Sequence, residues 1–146
     1  MRAIELLIEY RRLRAKIARL RSQMEELKEQ AESLSAWTDG DRVQSSHDPD
    51  KIGRVIAKLS DMEDERNDLI LEAADRMNEI EAVISELKNP DYALVLQYYY
   101  IRGLTFEQTA MLMCCTSRWA MSLRDRAVKA MDERMRNDSE FLGRTI

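Results

Sequence analysis

Glycine and proline are scarce in this 146-residue chain, four and two respectively. With so few residues able to break a helix or make the turns that strands need, the expected class is all-α. Cysteine is nearly absent too. The two present, Cys114 and Cys115, are neighbours, and adjacent residues do not easily reach disulfide geometry, so no internal bridge is expected and free thiols fit a reducing compartment. The single histidine, His47, lies in a polar stretch without a second histidine or a cysteine at ligand spacing. No metal and no cofactor are therefore expected. No apolar run reaches the length of a membrane span and no signal-peptide pattern opens the chain, which predicts a cytoplasmic protein with no membrane partner. A nucleophile–base pair is also missing, so the expectation is that the protein is not an enzyme. The carboxylates crowded into residues 61–81 read as a solvated helix face.

The formal net charge of −4 argues against indiscriminate nucleic-acid binding, but the charge is uneven. Residues 36–88 carry seven Lys and Arg against fourteen Asp and Glu, whereas residues 101–136 carry seven against four. A mildly basic C-terminal third permits DNA contact and equally fits a solvated helix surface, so charge alone does not decide.

Hydrophobic spacing is more informative. Leu6, Tyr10, Leu13, Ile17, Leu20, Met24, Leu27, Ala31 and Leu34 alternate steps of four and three, the seam of a heptad repeat, with Arg, Lys and Glu on the other faces. A second seam runs through Ile52, Val55, Leu59, Met62, Arg66, Leu69 and Ala73. After one extra step of four it continues through Met77, Ile80, Ile84 and Leu87, a stutter. Arg66 falls on this seam, where it either breaks the apolar interface or reaches outward past its own stem. Between the seams, Ser35 to Asp50 contains Asp39-Gly40-Asp41, Ser45-Ser46 and Asp48-Pro49, turn residues followed by a cap and a proline at the first helical position. Residues 1–88 are thus expected to form a long antiparallel helical hairpin, a coiled coil on the order of 50 Å long, with Trp37 packing over its end. Ile4, Ile8, Ile56, Ile70 and Val83 lie off the seams, and two helices cover them poorly, so a homodimer is expected.

From residue 89 the pattern changes. Asn89-Pro90 ends one helix and caps another containing Tyr92, Leu94, Val95, Leu96, Tyr98, Tyr99 and Ile101, and Gly103 stops it. Thr105 with Gln108 makes a capping box for a helix whose inward side is Phe106, Thr109, Ala110, Leu112 and Met113. Thr116 caps the last helix, with Trp119, Ala120, Leu123, Ala127, Val128 and Met131 as packing positions. Residues 89–146 are expected to form a trihelical helix-turn-helix domain, whose last helix puts its N-terminal residues into the major groove. Ser117, Arg118, Met121 and Ser122 would face base edges, with Arg124, Arg126 and Lys129 nearer phosphates, and Arg118 could donate bidentately to guanine. Cys114 and Cys115 fit as small thiols filling the tight core, and Tyr98, Tyr99 and Tyr100 as packing residues with one phenol exposed.

The run Gly103-Leu104-Thr105-Phe106-Glu107-Gln108-Thr109-Ala110 resembles the start of the sigma-factor region-four helix-turn-helix. Thr116 stands where that family opens its recognition helix with serine, and Arg126-Ala127 matches its arginine-alanine near the helix end. Cys114 stands where the family commonly has glycine, Thr109 where it has a buried aliphatic, and Ala120 where it has valine. With its long N-terminal helices and Asp41-Arg42-Val43-Gln44-Ser45 between them, the whole chain resembles small phage and prophage regulators, the RinA- and ArpU-like late-gene regulators. That resemblance implies transcription regulation, double-stranded DNA as ligand and RNA polymerase as a further partner. The competing expectation is a non-catalytic coiled-coil structural or adaptor protein in phage assembly. Arg118, Arg124, Arg126 and Lys129 around the recognition helix favour DNA.

Overall fold

A computed structural model describes residues 2–40 and 49–144, with the side chains of residues 2–34 and 50–140. The chain is all-helical. Five α-helices follow one another: α1 (Ala3–Gly40), α2 (Pro49–Ile84), α3 (Pro90–Leu96), α4 (Phe106–Met113) and α5 (Ser117–Arg144). A π-helical segment, Gln97–Ile101, continues α3, and no strand occurs among the described residues. No described helix is long and apolar enough to cross a membrane. The first helix runs through Gly40 rather than ending near Leu34. The expectations for the Trp37 side chain, for His47, for the Asp41–Ser45 segment and for the Asp48 cap fall outside the described residues.

Contacts divide the chain into two compact units, Leu13–Glu72 and a second made of Met1–Arg12 with Ala73–Ile146. In the first unit the heptad spacing of Leu13, Ile17, Leu20 and Met24 puts all four on one side of α1, and all four are buried. Leu20 and Met24 form a cluster with buried Met62, and Leu27, Leu59 and Leu69 pack against it. Leu20 shares a cleft with Leu69, and Leu27 shares one with Met62, so numbers rise on α1 as they fall on α2. Arg66 takes a seam position half-buried. Its Nε is shielded and has no partner among the described residues, and Nη2 lies 3.5 Å from Asn67 Oδ1 on the same helix.

The second unit buries Ala3, Leu6, Leu7 and Tyr10 from α1 and Ala73, Ile80 and Ile84 from α2. Tyr10 donates its hydroxyl to Met77 Sδ at 3.6 Å, and Arg76 pairs with Glu9 and Glu79, each at 3.0 Å. Leu7 lies off the heptad seam yet is buried, as is Ala3, one step of three before Leu6 on the seam, so at Leu7 this end of α1 is covered on a wider front than a two-helix pairing provides. The N-terminus of α1 is also tied down. Asp132 Oδ1 on α5 accepts from Ala3 N at 3.0 Å, and that hydrogen bond, helped by Arg136, holds the Asp132 carboxyl below its usual range. The Asn89 side chain accepts from Asp91 N at 3.0 Å and Pro90 opens α3. Val95, Leu96 and Tyr100 then go into the core, with α5 packed against both α3 and α4.

Candidate nucleic-acid interface

The local geometry from Gln97 to Trp119 follows from its capping residues. Arg102 N donates to Gln97 O at 2.9 Å, five residues back, which widens the last turn after α3. Gly103 closes it at φ 70, a conformation glycine adopts without strain, and Leu104 N reaches back to Tyr98 O at 3.0 Å. Thr105 Oγ1 accepts from Gln108 N at 3.1 Å while Gln108 Oε1 accepts from Thr105 N at 3.0 Å, the complete capping box of α4. At the far end of α4, Cys115 N donates to Ala110 O at 2.9 Å and Cys114 N to Met111 O at 3.3 Å, the paired bonds of a Schellman ending. Cys114 therefore stands at φ 55, ψ 45 in the left-handed region, and it is the only described non-glycine residue with positive φ. Two residues later Thr116 Oγ1 accepts from Trp119 N at 3.1 Å and α5 begins.

The buried side of α5 is Ala120, Leu123, Ala127 and Met131. Arg118, Ser122, Asp125 and Lys129 recur at steps of four, three and four on the opposite side, an outward row with Arg118, Asp125 and Lys129 exposed and Ser122 half-buried. Arg126 is exposed on one flank with its guanidinium 5.2 Å from the Trp119 ring centroid. Met121 is exposed on the other flank, beyond half-buried Ser117. The structure thus brings Arg118, Ser122 and Lys129 to one face and does not bring Arg124 with them. Arg124 turns to an aromatic group in which Tyr99 stacks on Phe106 at 4.3 Å and meets Tyr100 edge-on at 4.8 Å. Its guanidinium lies 5.1 Å from the Phe106 centroid and 5.6 Å from that of Tyr99, while Arg11 of α1 covers Tyr99 at 4.4 Å. Burial pushes the Tyr100 phenol above its ordinary value, an effect that the nearby Arg124 opposes.

Several side chains differ from expectation. Trp119 is 45 % exposed and Leu112 is exposed although both read as packing positions; each sits at the border of its helix's buried arc, where periodicity does not choose a side. Cys114 is exposed rather than filling the core, because a left-handed residue at the end of a helix faces outward, and Cys115 is half-buried. Thr109 is fully buried and its hydroxyl has no partner among the described residues, so a polar atom occupies an aliphatic position. The Arg11–Tyr99–Phe106–Arg124 arrangement was not read from the sequence. It joins residues far apart in the chain, and only Phe106, placed directly after the α4 cap, carried a local hint of it. No group of three or more His, Cys, Asp or Glu positioned for a metal occurs among the described residues. Comparison of the chain with family models, with curated proteins and with solved structures finds no match.

Proposed function

We propose that this chain is a non-enzymatic, DNA-binding transcription regulator of phage or prophage type, similar to the RinA- and ArpU-like late-gene regulators. In this reading α1 and α2 make an antiparallel coiled-coil hairpin, and α3, α4 and α5 make a sigma region-four-like helix-turn-helix. The observation that carries it is the outward row of α5. Arg118 and Lys129 are exposed opposite a fully apolar packing side, on a helix that begins three residues after a tight left-handed turn. Ser117, Arg118, Met121 and Ser122, at its N-terminal end, face base edges, and Arg126 and Lys129 lie nearer phosphates. Arg124 acts from behind, holding α5 against the aromatic group. RNA polymerase and a second copy of the chain are the further partners of this reading, and the cytoplasm is its compartment.

A second reading, a non-catalytic adaptor that binds protein, draws on a different observation. Met111, Leu112, Trp119 and Met121 are exposed on α4 and α5, Met111 by 79 %, and apolar side chains in such number favour a protein partner. Selection from a random pool of duplexes separates the two. The regulator reading expects enrichment of one sequence family at low salt. No enrichment, even with RNA polymerase added, would leave the adaptor reading standing.

A further inference from the structure

We propose that Asp125 is a base-reading residue of the same face, selecting cytosine by accepting a hydrogen bond from the base's N4 amino group in the major groove; this rests on the DNA-binding reading. Asp125 stands in the outward row two turns after Arg118 and one turn before Lys129, and its side chain is 69 % exposed. An acid there works against a surface that only attracts phosphates, and such a surface would gain affinity from its removal. The carboxylate is held in place. Arg124 Nε and Nη2 both donate to Asp125 Oδ1, at 3.0 and 2.8 Å, and Arg124, with 28 % of its side chain exposed, is itself fixed over Phe106 and Tyr99. Both donors converge on one oxygen, so Oδ2 keeps its acceptor capacity with no partner among the described residues. The Arg124–Asp125 pair carries no net charge, which lowers the repulsion between the carboxylate and the DNA backbone without removing the acceptor.

An acceptor-only group needs a donor, and the major groove offers two, cytosine N4 and adenine N6. Adenine N6 is flanked on both sides by acceptors, its own N7 and the O4 of the paired thymine, and these repel a carboxylate. Cytosine N4 has an acceptor on one side only, the O6 of the paired guanine. Guanine and thymine present no major-groove donor at all. The expected order at the contacted position is cytosine, then adenine, with guanine and thymine last.

The test uses the full chain, with duplexes selected from a random pool and then varied through all four bases at each position. The parent should prefer cytosine at one position by about tenfold. Asp125→Ala should lose that preference while keeping the others, and should bind random duplex at least as tightly because a negative charge is gone. Asp125→Asn, which can pair with adenine N6 and N7, should move the preference at that position toward adenine. An Asp125→Ala variant with unchanged preference at every position, or with weaker binding to random duplex, would overturn the proposal. A parent that enriches no sequence would instead overturn the DNA-binding reading beneath it.

Discussion

Cys114 carries the chain through a backbone conformation that suits glycine, with φ 55 and ψ 45, and its side chain is exposed. The side chain thus gains little from packing while the backbone bears left-handed strain of about 1 kcal/mol. Cys114→Gly should relieve that strain and stabilise the fold by a few tenths of a kcal/mol, about 0.5 at most once the roughly 0.5 to 1 kcal/mol for glycine's freer unfolded chain is subtracted, which raises the thermal midpoint. An unchanged or lower midpoint in scanning calorimetry would show that the thiol makes a contact worth more than the strain. Asp132 supplies a different handle. Its carboxyl is held below its ordinary value by the hydrogen bond from Ala3 N, so the ionised form favours the folded state. Its contribution is therefore complete above the ordinary carboxyl value, about pH 4, and is lost as pH falls through the lowered folded-state value. Asp132→Asn should flatten the acid limb of stability against pH relative to the parent. Urea titrations between pH 2 and pH 6 would detect it, and parallel limbs would contradict the assignment. Glycine's usual place at the turn marked Cys114 as a departure in the sequence itself, whereas nothing near Asp132 in sequence foretold its partner 129 residues away.

Helix periodicity made most of the elements legible. Leu6, Tyr10, Leu13, Ile17, Leu20 and Met24 are all buried, because a heptad seam leaves one side of a helix no other place to go. The caps at Asn89, Thr105 and Thr116 were legible for a related reason, since a short polar side chain at that position satisfies amide groups that the helix leaves without partners. The π-helical turn at Gln97–Ile101 was not, because the residues Gln-Tyr-Tyr-Tyr-Ile propagate an α-helix equally well. Gly53 gives an element-scale test. It lies inside α2, and a Cβ built there meets nothing within 4 Å. Gly53→Ala should stabilise the protein by about 0.8 to 1 kcal/mol through helix propensity alone. A loss of stability in denaturant titration would mean that the free face of α2 at Gly53 is in use in solution.

At the scale of the whole molecule, exposed apolar residues remain on α2 after folding, Ile56, Ile70 and Leu71 among them, and Ile8 on α1 is exposed as well. Ile4 and Val83, which also read as uncovered, are half-buried. A homodimer that covers the α2 residues should appear as twice the chain mass in light scattering at micromolar concentration, and Ile56→Glu with Leu71→Glu should return it to a monomer. A single-chain mass at every concentration would contradict this. The all-helical class followed from composition, but the grouping of the first turns of α1 and the end of α2 with the C-terminal helices did not. It depends on contacts such as Arg11 with Tyr99, and an arginine off the seam looks like any solvated residue until the fold brings a ring beneath it. The central claim, that the outward row of α5 reads duplex DNA, is tested most directly by titrating Arg118→Ala and Lys129→Ala against a selected duplex at several salt concentrations. Arg118→Ala should cost about 1 to 3 kcal/mol and relax preference at one base pair, whereas Lys129→Ala should weaken all sequences alike and lower the salt slope by about one unit. An Arg118→Ala variant that binds and discriminates like the parent would contradict the account.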